Sequence, residues 1–547
     1  MLKYKKHLLE VIMVNYSLFN ITDDHSYNVY NAINYCVQNG EDGIVFDGGR
    51  YDFYPDKASE HLLHVSNHDV YGEKRVAFLI KEMSDLTIDG GGSEFVFHSD
   101  MVSFALLGSK NITLKNFSID YDKTKAFCIQ VTAVDEDSFD FKRIYGSECY
   151  VEGTKLYLSD GDGKDEPFRY FSLLDDGTCK EMISESRDSF DRAMYFEDLG
   201  DGLFRVHKRD KNLELREGMR LVTRAHMRHA CNIVIDRSEN TLIQGVTMYK
   251  SYGMGLLAEK STDVTVDRMT VKASDDALFS LNADATHFVN CRGLVKVTNS
   301  SFSEQQDDAL NIHGEFNPVS DKTEEYILIR YVHPQAKGLG IYEAGDEIAV
   351  LAPKTLIPKC TRKVKSAEKV NMNYTKLYIE GGTDGIEVGD VIEDLTWNCD
   401  LLFEGNTVRN NRARGMIIAT KGKVEIKNNY FNTPGVAILF ESDGKFWFEA
   451  GGTKDVRITE NFFDNCRFTK GNWGKNVIEM KPREEFDGEN YYHKYVEVAN
   501  NRFTNCGGSL LSADNVERFV WKDNTIEDGT ECQLLTFKNC KDVEKDI

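Results

Sequence analysis

The sequence predicts an all-β chain: a right-handed parallel β-helix interrupted by small inserted β-barrels or sandwiches. Three observations carry that reading. First, a short phrase (apolar-polar-apolar, a polar turn, another apolar residue) returns along much of the chain. Val264-Thr265-Val266, Val295-Lys296-Val297, Val424-Glu425-Ile426, Val456-Arg457-Ile458 and Val496-Glu497-Val498 are examples. Such alternation marks strands with one buried face. Second, Asn406, Asn429, Asn461, Asn501 and Asn524 each stand two residues before an apolar residue, at spacings of 23, 32, 40 and 23. Irregular periods above about twenty residues suit solenoid coils with loops of varying length. Stacked Asn side chains can hydrogen-bond from coil to coil, and Asn tolerates the left-handed backbone of a sharp turn. Third, helical heptads are absent, and Gly, Asn and Asp cut the apolar runs into strand-sized pieces.

In chain order, residues 20–124 read as a cap and the first coils. Val29, Ala32, Ile33 and Cys36 fall on one helical face, and Gly40 is a stop. Gly43-Ile44-Val45-Phe46 and Gly49-Arg50-Tyr51-Asp52-Phe53 follow as strands. An amphipathic helix feeding a strand covers the open end of a solenoid. Coil phrases begin at Leu86-Thr87-Ile88 and Ile112-Thr113-Leu114. Residues 125–222 and 317–395 show alternating strands without the coil phrase. Both carry a Gly followed by alternating apolar residues, as in Gly218-Met219-Arg220-Leu221-Val222 and Gly345-Asp346-Glu347-Ile348, which predicts inserted antiparallel barrels. Residues 223–316 are then the central coils and 396–547 the C-terminal ones. The second insert leaves directly after His313-Gly314, where it can wall those coils; either insert is a natural place for a homodimer contact.

A chain of 547 residues, 41% of them hydrophobic, can bury a large core. Its formal net charge of −23 argues against nucleic acid and anionic membrane as partners, since both need a basic surface. No apolar run is long enough to span a bilayer. A neutral ligand fits this charge best. The twelve cysteines include no CxxC pair, so zinc-site spacing is missing. Cys291, Cys466 and Cys506 read as small buried thiols beside turns. Residues 1–14 make a poor signal peptide, because Glu10 interrupts the apolar stretch and no small-residue cleavage site follows.

The chemistry concentrates between Asp275 and Gly314. Two near-copies of one phrase, Ser274-Asp275-Asp276-Ala277-Leu278 and Gln306-Asp307-Asp308-Ala309-Leu310, lie 32 residues apart, with Asp284 between them and His313-Gly314 after the second. That offset suits one turn of a solenoid, which would stack the two pairs. Carboxylates crowded in this way raise each other's pKa and are costly unless used. Hydrolysing a glycosidic bond with inversion takes one carboxylic acid to protonate the leaving oxygen and one carboxylate to activate water, roughly 6.5–9.5 Å apart; retention takes a pair about 5–5.5 Å apart. Coils about 4.8 Å apart supply such spacings. Asp307 and Asp308 are the foremost catalytic candidates and Asp284 the next. Asp275 and Asp276 bind sugar or support the pocket from the coil beneath. Such catalysis calls for no metal and no cofactor.

The runs Asn282-Ala283-Asp284-Ala285-Thr286-His287-Phe288-Val289-Asn290-Cys291-Arg292-Gly293 and Gln305-Gln306-Asp307-Asp308-Ala309-Leu310-Asn311-Ile312-His313-Gly314 resemble glycoside hydrolases of family 110. So do Tyr51-Asp52-Phe53-Tyr54-Pro55, Ile88-Asp89-Gly90-Gly91-Gly92-Ser93, Asn411-Arg412-Ala413-Arg414-Gly415, Ala437-Ile438-Leu439-Phe440-Glu441 and Phe446-Trp447-Phe448-Glu449. The likeness runs from about residue 25 to the C-terminus. It implies a pectin-lyase-like β-helix with inserted barrels, and an inverting exo-α-1,3-galactosidase. The substrates implied are glycans ending in α-1,3-linked galactose, as in blood group B or linear α-Gal structures, met after export from the cell. Carried onto this sequence, Asp284 is the general acid, and Asp307 and Asp308 are the base pair holding the water.

Around that core, Arg414 can fork onto sugar hydroxyls or a catalytic carboxylate, and Trp447 is the best aromatic platform for a pyranose face. His313 orients a carboxylate or contacts sugar, and Glu441 and Glu449 are further ligands. Two rival readings share the scaffold. A family 28 polygalacturonase, or a lyase of acidic polysaccharide, also uses an Asp pair and a His-Gly pair, but residues 274–314 offer only Arg292 and Lys296 to bind a uronate. A non-catalytic carbohydrate-binding β-helix would keep the Asp pairs as structural turns.

Overall fold

The computed structural model describes residues 12–546, except 69–71, 162, 176, 178–181, 190–193, 208–213, 225–226, 472 and 528–533. Most of the basic N-terminal stretch, residues 1–11, lies outside them. Three parallel strand ladders run along the chain and make a β-helix. One coil shows the plan. Thr262–Asp267 leads through a sharp corner into Thr270–Val271, a longer corner leads to Thr286–Val289, and Arg292–Thr298 opens the next coil. Val264 pairs with Val295, Val271 with Phe302 and Thr286 with Leu310, all in parallel register. Alternation decides which side chains enter the core: Val264, Val266, Val295, Val297, Val424 and Ile426 are all buried. Aromatic rings stack along the axis through Phe403, Phe431, Phe463, Phe503 and Trp521.

The sharp corner explains the asparagines, with one refinement of the sequence reading. The left-handed residue is the one before the ladder Asn: Gly405, Asn428, Glu460, Asn500 and Asp523 have φ between +51° and +68°. The Asn that follows turns inward. The backbone N–H groups of Asn406, Asn429, Asn461 and Asn501 donate to Oδ1 of Asn429, Asn461, Asn501 and Asn524 at 2.8, 3.0, 2.9 and 2.9 Å. Each amide nitrogen also donates to a strand carbonyl, as Asn461 does to Ile426 at 2.9 Å. The ladder therefore satisfies corner groups that would otherwise be buried without partners.

His25–Asn39 is the capping helix; the Asp24 side chain accepts from the Ser26 N–H, and Gly40 ends the helix at φ +68°. Val29, Ala32, Ile33 and Cys36 are its buried face, over the first coils. Among the described residues no helix is long and apolar enough to cross a membrane.

Two antiparallel units interrupt the coils. The first spans Phe127–Val134 to Arg220–Thr223 as a seven-stranded sheet beside a three-stranded one. It has its own core of Phe127, Ile129, Phe139, Phe141, Phe171 and Leu221. The second grows out of the strand Leu310–Lys322, which starts in the third ladder and then pairs antiparallel with Tyr326–Arg330 and Val391–Asp394. The strand that carries His313 is thus continuous with the second insert, and the first insert returns to the coils just before Arg224.

Candidate active site

The third ladder stacks the key side chains. Thr286 pairs with Leu310, and Leu310 with Met416. The residues two places ahead of these are Asp284, Asp308 and Arg414, so they form a column on successive coils. Asp307 stands beside Asp308, and one oxygen from each of Asp284, Asp307 and Asp308 lies within 4.8 Å of the others.

The first Asp-Asp copy is outside this column. Between Val271 and Thr286 lie 14 residues, where the next coil, from Phe302 to Leu310, has 7. The extra residues loop outward and leave Asp275 and Asp276 exposed. The 32-residue offset is therefore not the repeat at this face, and the stacked pair is Asp284 with Asp308. The expectation that Asp275 and Asp276 bind substrate is corrected: they do not line the recess described below, and Asp275 borders a separate groove with Lys272 and Arg409.

Four guanidinium groups converge on Asp307. Arg224 Nη1 and Arg228 Nη2 donate to its Oδ2 at 3.1 and 3.2 Å, and Arg412 Nη1 and Arg414 Nη2 donate to its Oδ1 at 3.1 and 3.4 Å. Burial alone would raise its pKa, but Arg412, Arg224, Arg414 and Arg228 outweigh burial and hold the carboxyl well below the usual range. Arg412 also pairs on both nitrogens with Asp188 of the first insert, and Arg224 and Arg412 both lie over the Tyr170 ring, 5.6 Å from its centroid. Ala413, in the left-handed region at φ +69°, lets Arg412 and Arg414 both reach Asp307.

Asp284 and Asp308 are driven the other way. Burial, then Asp307, pushes Asp284 up to about 7. Burial, with Asp307 and Asp284, pushes Asp308 up to about 8 against the pull of Arg414. Three carboxylates this close do not all ionise near neutrality. These values alone would leave the proton on Asp308. The hydrogen bonds favour Asp284, because Arg414 clamps both oxygens of Asp308 through Nε at 2.9 Å and Nη2 at 3.0 Å, the arrangement of an ionised carboxylate. Such a carboxylate trio also has the spacing of a cation cage; here the four guanidinium groups supply the positive charge.

The trio lines a recess that opens to solvent. Its rim is the segment 441–449. Asp443 accepts the backbone N–H groups of Lys445, Phe446 and Trp447 at 2.7, 2.9 and 3.0 Å and so fixes the loop that presents Trp447. Arg483 ties Asp443 to Glu441. Burial, then Glu441, pushes Glu449 up to about 8. Arg414, Glu441, Trp447 and Glu449 thus line the recess with the three aspartates. His313 does not. It is buried behind His287, whose Nδ1 meets Asp284 Oδ2 at 2.6 Å, so the expectation that it contacts sugar is corrected to contact with a second histidine.

Sequence reasoning missed Arg224, Arg228, Asn311, Asp443 and Arg483, all at or beside the recess. Asn311 carries an unpartnered Oδ1 there. A usable signal existed in the run from Arg224 to His229, a local basic cluster in a strongly acidic chain. The missing basic cluster beside the aspartates is also corrected: the arginines come from residues 224–228 and 412–414, outside residues 274–314. They do not make the recess cationic. Three arginines line it (Arg228, Arg414 and Arg483) against six carboxyl groups.

Comparison with known proteins adds the following. A family profile described as "Right handed beta helix region" matches residues 395–544, "GLAA-B beta-barrel domain II" matches 326–392, and "Glycosyl hydrolases family 28" matches 223–320. The chain is 30% identical over 529 residues to alpha-1,3-galactosidase B of Bacteroides fragilis, covering 90% of this chain and 87% of that one. It is 28% identical to alpha-1,3-galactosidase B of Phocaeicola vulgatus (89% and 84% covered) and 28% identical to alpha-1,3-galactosidase A of Shewanella woodyi (94% and 84%).

Proposed function

The chain belongs to the α-1,3-galactosidase family, the glycoside hydrolases of family 110 that its sequence resembles, and from that premise we propose that it removes terminal α-1,3-linked galactose from glycans such as blood group B or linear α-Gal structures. The observation that carries the chemistry is the stacked pair Asp284 and Asp308, held up to about 7 and about 8 in one recess, with Asp307 pinned as an anion beside them. A general acid works best when its pKa lies near the working pH. Asp284 donates its proton to the glycosidic oxygen as the bond to the anomeric carbon breaks. Asp308 takes a proton from the attacking water. Asp307 is too strongly held by four guanidinium groups to serve as a base, and it anchors the arginines instead.

One oxygen each of Asp284 and Asp308 lies within 4.8 Å, closer than the roughly 6.5–9.5 Å usual for inversion; what supports inversion here is how Asp308 is held. Arg414 bonds both of its oxygens and holds the carboxyl group in place, which suits a base that accepts a proton from water more than a nucleophile that must advance onto the anomeric carbon. Trp447 at the rim offers its face to the sugar ring. Six carboxyl groups against three arginines suit a neutral hexose and disfavour a uronate, which speaks against the polygalacturonase reading.

The test is product analysis. The wild-type protein is expected to free galactose from an α-1,3-galactosyl oligosaccharide, and to leave the α-1,4 and α-1,6 isomers and polygalacturonate largely untouched. No galactose from the α-1,3 substrate, or equal release from all isomers, would refute the proposal.

A further inference from the structure

We propose that His287 and His313 are positioning residues that fix the catalytic proton on Asp284, because their hydrogen bonds run in one direction from a backbone carbonyl to its carboxyl group. This rests on the reading of Asp284 as general acid. The Gly314 carbonyl can only accept, so the 2.7 Å contact from His313 Nδ1 puts a hydrogen on that nitrogen. In a neutral His313 the other nitrogen is then bare, and it accepts from His287 Nε2 at 2.9 Å. In a neutral His287 the hydrogen on Nε2 leaves Nδ1 bare, 2.6 Å from Asp284 Oδ2. Two acceptors would repel at that distance, so the hydrogen belongs to the carboxyl group. The backbone thereby selects the acid.

The chain holds only while both rings stay neutral. The side chains of His287, His313 and Asp284 are 1%, 0% and 5% exposed, and burial, with His313 and Arg228 beside it, holds His287 well below the ordinary range. Burial holds His313 down at about 4. The groups facing the chain are Asp307, Asp308, Arg228, Arg414, Arg224 and Glu449 around Asp284, and Arg228, Glu259 and Asp307 around His287. Glu449 Oε1 lies 3.8 Å from His313 Nε2. The anions favour a charged ring, the arginines oppose it, and burial decides for the neutral form. Asp308 then carries the negative charge against Arg414. In the reaction the Asp284 O–H bond breaks and its proton goes to the glycosidic oxygen, which keeps the electron pair of the broken bond. Water adds to the anomeric carbon and its proton goes to Asp308.

The decisive measurement is nitrogen NMR of the full-length wild-type protein with labelled histidine rings, the two signals assigned with His287→Gln and His313→Gln. The expected result is two rings that stay neutral between about pH 5 and pH 8, with hydrogen on Nδ1 of His313 and on Nε2 of His287. Hydrogen on Nδ1 of His287, or a charged ring in that range, overturns the proposal. This readout needs no turnover, so an inactive wild-type protein would remove the galactosidase reading without deciding the tautomers. A kinetic arm separates positioning from mere structure. In His313→Phe, His287 is free to turn an Nδ1–H toward Asp284 and stabilise its carboxylate. The alkaline limb of kcat/KM should move down by about one pH unit or more, with roughly a hundredfold loss on an oligosaccharide and little loss on an activated aryl α-galactoside, whose leaving group needs no proton. An unmoved limb, with equal losses on both substrates, overturns it.

Discussion

Asp308→Asn is expected to lower kcat/KM for galactose release from an α-1,3-galactoside by about a thousandfold or more, while the protein stays folded. General-base catalysis is worth roughly 10²–10⁴ in rate, and the amide keeps the shape but cannot take the water's proton. The substitution also removes one of three crowded carboxyl groups. Asp308 is held above its ordinary pKa chiefly by burial and by Asp307, so its ionisation costs the fold free energy. The proton that the folded Asp284–Asp308 pair retains, resting on Asp284, favours folding while it is bound, and that contribution fades as pH rises from about 4 through about 7 to about 8. Asp308→Asn relieves the crowding of carboxylates while Arg414 keeps Asp307 as an anionic partner, so at neutral pH the variant should unfold no earlier than wild type in a thermal melt. An inactive variant that also melts many degrees lower would show that Asp308 is structural.

Asp307→Asn should behave in the opposite way: activity and stability fall together. Asp307 is the shared anion of Arg224, Arg228, Arg412 and Arg414. Removing one partner of a buried ionic cluster leaves uncompensated charge and costs about 3–5 kcal/mol. Its pKa is depressed, so its contribution is present above the unfolded carboxylate value near 4 and is lost as pH falls below it. The melting deficit of Asp307→Asn relative to wild type should thus be full at neutral pH and shrink in acid. Equal melting of the two proteins at neutral pH would contradict the anchoring role. The comparison matters because Asp307 and Asp308 are adjacent in sequence and identical in chemistry, and only their partners differ.

The architecture was legible because its causes are local. Alternation in Val264-Thr265-Val266 and its relatives, and the Asn before each apolar residue, follow from strand pleat and corner geometry. The acidic half of the site was legible for a similar reason: Asp284, Asp307 and Asp308 lie within 25 residues of one another. The basic half was not. Arg228 and Arg414 are separated in sequence by the whole second insert, and Asp188 reaches Arg412 from the first one, so only the tertiary fold brings them together. A net charge of −23 hides such a cluster, because a global sum says nothing about one recess. The two Asp-Asp copies misled for a geometric reason. Equal phrases imply equal positions only if corner lengths match, and the corner after Val271 is longer than the one after Phe302. His313 lies behind His287 and off the recess, a placement that sequence does not reveal.

The division of labour between Asp284 and Asp308 is tested most directly by a proton NMR time course of galactose release, begun before the free sugar equilibrates between anomers. With Asp284 as acid and Asp308 as a base clamped by Arg414, water attacks from the face opposite the departing group, and β-galactose is expected first, with α-galactose growing in only by mutarotation. α-Galactose as the first product would mean that a carboxylate attacks carbon directly, and would contradict the assignment of Asp308 as a base.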